Sequence, residues 1–109
     1  MPQAAFAHEG AAIDYTPGAD VAAGDVVVQG DLVGVARLTI KANVLGALAV
    51  TGVFDFAKAT NVAYTVGTIL YWDDSANLVT TTSAGNKQIG KVVLAAATTD
   101  ATVRVRLSQ

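Results

Sequence analysis

A chain of 109 residues has room for one domain, and its formal charge of −2, with only seven lysines and arginines, supplies too few cations for a phosphate track. There is no cysteine, so disulfide, thiolate and zinc–thiolate chemistry are excluded, and no apolar run approaches the roughly 18 residues that cross a bilayer. Hydrophobic residues make up 52% of the chain, aromatics 6% and charged residues 15%, so many small side chains must fill the core beneath a sparsely charged surface suited to packing against other copies or a larger partner.

Residues 1–20 read as an N-terminal arm. Met1 to Gly10 shows no clean period and lacks the positive start and long apolar stretch of a signal peptide, which predicts a soluble, unexported protein. Ala11 to Tyr15 is a short strand closed by the turn signal Thr16-Pro17-Gly18. The segment is either a loose terminus ending in an edge strand or an extended arm that pairs with a neighbouring subunit or a partner's sheet edge. Phe6, His8 and Tyr15 are its candidate contact residues. His8, the only histidine, has Glu9 beside it but no activated serine nearby, so it reads as solvated or interfacial.

Residues 21–109 read as a β domain. Val26, Val27 and Val28 run without alternation, which predicts a strand over Asp25 to Gln29 buried on both faces. Gln29-Gly30-Asp31 turns the chain into a strand over Leu32 to Leu38, and Lys41 to Leu45 is a connection. Gly46 to Phe54 is expected as one strand, with Leu48, Val50 and Phe54 on one face and Ala47, Ala49, Thr51 and Val53 on the other. Asp55 to Ala63 follows as a loop or a single helical turn.

Thr68 to Trp72 opens the second half, and Asp73-Asp74-Ser75-Ala76-Asn77 makes a hairpin turn into Leu78 to Thr82. Ser83 to Asn86 turns again into a strand over Gln88 to Ala95; the β-branched residues around Ala95-Ala96-Ala97 favour strand over helix there. After the turn at Thr98-Thr99-Asp100 the last strand alternates, with Ala101, Val103, Val105 and Leu107 inward and Thr102, Arg104, Arg106 and Ser108 outward.

The halves say one thing twice. Ala23-Gly24-Asp25-Val26-Val27-Val28, Val33-Gly34-Val35-Ala36 and Ala47-Leu48-Ala49-Val50 align with Val66-Gly67-Thr68-Ile69-Leu70-Tyr71, Ile89-Gly90-Lys91-Val92 and Thr102-Val103-Arg104-Val105. Quasi-repeats of about 21–54 and 64–107, each too small to bury its own core, must close on one another. The expected fold is all-β: a small β-barrel or β-sandwich built from two similar β units, with an extended N-terminal arm.

Little here could do chemistry. Gly85-Asn86-Lys87-Gln88-Ile89-Gly90-Lys91 begins like a phosphate-binding loop, but Val92 stands where a Ser or Thr must hold magnesium, and strand formers follow where a helix is required. Asp73 and Asp74 lack the oxygen-rich spacing of a calcium loop and read as turn residues. Tyr71 and Trp72 are consecutive on a strand, so one faces the core and the other is a contact candidate. Arg104 and Arg106 share an outer face, which is either simply solvated or a candidate for an inter-subunit or partner-facing ion pair with Asp25 or Asp31. No nucleophile, base and oxyanion donors cluster. The reading is a non-enzyme with no cofactor, metal, small-molecule substrate, nucleic acid or membrane among its partners.

The order and spacing of Gly24-Asp25-Val26-Val27-Val28, Gly30-Asp31-Leu32-Val33-Gly34-Val35-Ala36, Gly52-Val53-Phe54, Tyr71-Trp72-Asp73-Asp74, Ile89-Gly90 and Thr102-Val103-Arg104-Val105-Arg106-Leu107 resemble the capsid cement, or head decoration, proteins of phages and prophages. The resemblance implies a homotrimer on the outer face of an expanded head, between capsomers of the major capsid protein, made in the host cytoplasm and carried on the virion. Two other readings compete: a biotinyl- or lipoyl-carrier-like module, for which Lys58 and Lys87 are the loop lysines, and a phage tail or connector protein.

Overall fold

The computed structural model describes residues 3–5, 7 and 10–109; Phe6 and His8, two expected arm contacts, lie outside the described residues. The described chain is all-β. Its strands are β1 (Ala12–Tyr15), β2 (Val26–Gln29), β3 (Leu32–Val35), β4 (Gly46–Ala49), β5 (Gly52–Ala57), β6 (Ile69–Asp73), β7 (Leu78–Thr80), β8 (Lys87–Leu94) and β9 (Thr102–Leu107). They form two antiparallel sheets, ordered β1-β4-β3-β2 and β5-β9-β8-β6-β7, packed together as a small β-sandwich.

The two sheets share one wiring plan. In the first, Val26 lies opposite Val35 and Val27 opposite Gly34; in the second, Ile69 lies opposite Lys91 and Leu70 opposite Gly90. Ile13 faces Leu48 and Asp14 faces Ala47, as Phe54 faces Val105 and Asp55 faces Arg104. The turns agree bond for bond. Gly24 and Gly67, at φ 93° and 91°, donate their N–H groups to the carbonyls of Ala36 and Val92. Val21 and Ile40 exchange two backbone hydrogen bonds, and so do Tyr64 and Ala96. A φ near +90° suits a residue without Cβ, which is why the same Gly recurs in the sequence. The correspondence extends to β1 and β5, and β7 is the one strand added in the second sheet. In the last strand the register matches Leu48 with Val105, two residues along from the alignment that sequence suggested.

Each sheet covers a core at equivalent positions. Val21, Ala36, Ile40 and Leu48 are buried under the first sheet, with Ile13, Tyr15 and Val27 packed against them. Under the second, Phe56, Tyr64, Leu70, Trp72, Val79, Ile89, Val92, Ala96, Val103, Val105 and Leu107 join Val33 and Val35, which reach across from β3. The Gln109 side-chain amide stitches the chain's end to the first sheet: Nε2–H donates to the Val33 carbonyl, and Oε1 accepts the Val33 N–H, both at 2.6 Å.

Four expectations are corrected. β2 is a half-buried edge strand, because it pairs with β3 alone. Gly46 to Phe54 is two strands: the chain leaves the first sheet at Val50-Thr51 and enters the second at Gly52, whose φ of 124° turns it. Asp55 to Ala57 continue β5, so Phe56 belongs to the core and not to a loop. In the last strand Val103, Val105 and Leu107 point inward as expected, while Ala101 is exposed.

Candidate functional site

Two cations without an acid partner among the described residues stand side by side on the outer face of the second sheet. Directly paired antiparallel residues share a face, so the pairs Val53–Arg106, Arg106–Lys91 and Lys91–Ile69 make one row across β5, β9, β8 and β6. Val53 is 55% exposed and Ile69 42%. Lys91 and Arg106 also line a hollow of about 490 Å³ with Val66, Gln88, Val93 and Ser108. Beneath them Gly90, at φ 151°, lies so close to the Arg106 carbonyl that any Cβ would collide with it. That glycine answers to backbone packing inside a sheet, which disposes of the phosphate-loop reading of Gly85 to Lys91.

Arg104, on the same strand, is already paired. Its guanidinium donates to both carboxylate oxygens of Asp55, at 3.0 and 3.3 Å, and this hydrogen bonding holds the Asp55 carboxyl below the ordinary carboxylate range and raises the Arg104 pKa. The acids expected to face the arginines are engaged elsewhere. Asp31 accepts from the Lys87 ammonium at 2.6 Å, which lowers its pKa, and Asp25 caps its own turn by accepting the Ala22 N–H. Arg106 has no acidic partner among the described residues.

Trp72 is a core residue, 5% exposed, with its indole N–H donated to Asp74 at 3.0 Å; Tyr71 points the other way and is half-buried. Tyr15 is half-buried against the first core. Asp73 accepts the N–H groups of Ser75 and Ala76 and so ties the β6–β7 turn. Among the described residues, no group of three or more His, Asp or Glu side chains is placed to hold a metal ion. Burial raises the Tyr64 pKa.

Neither loop lysine stands at an exposed hairpin tip. Lys58 is 3% exposed and donates its ammonium protons to the carbonyls of Ala59 and Asp100, at 3.0 and 2.7 Å, pinning the last turn to the end of β5. Lys87 begins β8 and is engaged by Asp31. A second hollow, of about 760 Å³, runs along the first sheet between Ala12, Ala47 and the exposed Leu38, Val44 and Leu45, with Arg37 at its side.

Sequence reasoning picked out Arg106 but missed Lys91, Val53 and Ile69. The signal for Lys91 lay in the repeat: it occupies the place of Val35, a charge where the other half has a buried valine. No helix among the described residues is long and apolar enough to cross a membrane. No curated protein and no solved structure matches the chain. The family model of phage cement proteins matches residues 7–107, nearly the whole length of the chain, and the chain belongs to that family.

Proposed function

We propose that this protein binds the outer surface of the expanded phage head as a homotrimer, bridging adjacent capsomers of the major capsid protein and stabilising the shell. The observation that carries the reading is the family match over residues 7–107. Membership of a structural family supports a binding role and no catalysis. A sparsely charged body with exposed aliphatic side chains in both halves, among them Leu38, Leu45, Val53 and Ile69, supports it as well.

Cementing requires no single strong contact. A trimer engaging several shell subunits gains from effective concentration, so weak individual sites add to a firm clip. The arm, if it orders against the shell, adds strand pairing at the entropic cost of ordering it. Within this reading Phe6, His8, Tyr15, Tyr71 and Arg106 are the contact candidates that remain; Trp72 and Arg104 are held by the core and by Asp55.

The test is co-sedimentation with expanded heads of its own phage that lack the protein. Saturation at a fixed copy number per shell subunit is expected, together with heads that withstand higher temperature. Sedimentation equilibrium of the free protein reads the trimer. Folded protein that fails to bind heads returns the chain to a tail or connector role.

A further inference from the structure

We propose that the Lys91–Arg106 face of the second sheet receives a carboxylate from an acidic segment of the shell subunit, an assignment that rests on the cement reading. Like charges placed directly opposite on neighbouring strands repel, so this pair is an unfavourable arrangement for the isolated chain. Of the other five cations four are answered, Lys41 by Asp20, Lys87 by Asp31, Arg104 by Asp55 and Lys58 by two carbonyls, and the fifth, Arg37, stands alone with no second cation opposite it. Lys91 and Arg106 have no acid among the described residues, and they share the rim of one hollow.

The internal repeat shows what the same row looks like when protein covers it. In the first sheet the equivalent row is Ala12–Ala49–Val35–Val26, with Ala49 and Val35 both 6% exposed. There the two middle positions are covered, and all four are apolar. In the second sheet the row is bare, and its two middle positions are cationic between two exposed aliphatic side chains. Such a row is matched by a partner that brings negative charge at its centre and apolar contact at its edges. A guanidinium fork takes a carboxylate through two parallel hydrogen bonds, and the neighbouring ammonium adds a point charge.

The occupant is a carboxylate of another protein and not a polyanion, because a chain of net charge −2 with two cations in reach offers no phosphate track. The described residues of a second copy are poorly equipped to supply it. Asp20, Asp31 and Asp55 are paired with cations, Asp25, Asp73 and Asp100 accept backbone N–H groups, and Asp74 holds Trp72. Among the described aspartates only Asp14 has no bond.

The experiment compares wild type with Lys91→Gln, Arg106→Gln and the double charge reversal Lys91→Glu/Arg106→Glu, in binding to heads that lack the protein. Both side chains are exposed, so the variants are expected to fold, which circular dichroism confirms. Affinity is expected to fall roughly tenfold for each neutralised charge and further on reversal. Wild-type binding should weaken as salt rises, and the double variant should lose that dependence. Sedimentation velocity should show the same oligomer throughout. Wild-type affinity in the double variant overturns the assignment alone. So does an oligomer that dissociates on charge reversal and returns with Asp14→Lys, which reassigns the face to contact between subunits. Wild-type protein that does not bind heads overturns the cement reading, and the assignment with it.

Discussion

The two halves of this molecule are one wiring diagram filled in two ways. Under the first sheet the equivalent positions are Ile13, Tyr15, Val21, Val27, Ala36, Ile40 and Leu48; under the second they are Phe54, Phe56, Tyr64, Leu70, Val92, Ala96 and Val105. The second set carries more aromatic area, and Trp72 and the added β7 with its buried Val79 enlarge it further. The first core leaves Ile13, Tyr15 and Val27 only partly covered. A shared wiring plan therefore does not mean equal stability. The volume of side chain beneath each sheet decides it, and the second half should hold most of the fold's free energy.

The largest effect expected from the comparison sits at its two matched glycines. A Cβ on Gly90 would strike the Arg106 main-chain carbonyl, and its φ of 151° is one that L residues rarely adopt. Neither obstacle can move without breaking the β8–β9 ladder. A Cβ on Gly34 meets the side chain of Leu48, with Cβ at 2.8 Å and Cδ1 at 3.2 Å, at a backbone angle without strain. Gly90→Ala should cost about 4 kcal/mol or more, and with that the soluble protein. Gly34→Ala should cost about 1–3 kcal/mol, the usual range for overpacking. Urea unfolding reads both, and equal losses would show that the two hairpins are not the same structure under different loads.

Next in size are the paired aromatics. Phe56, at the place of Tyr15, touches Trp72 with ring centroids 6.0 Å apart and Phe54 at 6.3 Å. Phe56→Ala should cost about 3–5 kcal/mol by removing a buried ring and leaving a cavity. Tyr15 lies half-buried on an edge strand, and Tyr15→Ala should cost about 1–2 kcal/mol. Thermal midpoints of the two variants should therefore differ by roughly 10 °C or more. A Tyr15→Ala variant as unstable as Phe56→Ala would place the weight of the fold in the first half.

The legible parts of this fold are those in which one residue type is forced. Gly24 and Gly67 had to be glycine at positive φ, so the repeat could be read in letters. Val103, Val105 and Leu107 alternate with Arg104 and Arg106, so the last strand declared its inner and outer faces. The break at Val50-Thr51 was not legible, because alternation continues across it from Leu48 to Phe54. Only long-range pairing shows that β4 and β5 lie in different sheets. Phe56 was hidden by its neighbours, since Asp55 and Lys58 look like loop residues until Arg104 and two carbonyls are seen to hold them. The Lys91–Arg106 row was invisible for the same reason: opposition across a ladder is a property of register, and no single strand carries it.

The smallest expected effect is also the sharpest test of equivalence. Asp55 and Arg104 oppose one another on β5 and β9; Asp14 and Ala47 oppose one another on β1 and β4, so the first half has the acid without its cation. Ala47→Arg should restore the missing pair, with a coupling to Asp14 of about 0.5 kcal/mol in a double-mutant cycle. The existing pair fixes the sign of the pH dependence. Because Arg104 depresses the Asp55 pKa in the folded state, its contribution is complete above the ordinary carboxylate range and is lost as pH falls through the lowered value. Both side chains are about half exposed, so solvent and salt keep that contribution small. The Ala47→Arg coupling should fade at high salt. A coupling that persists at high salt would mean that the new arginine acts by packing over Ala12 and Ala49 and not by charge, and that the two faces are alike in pairing only.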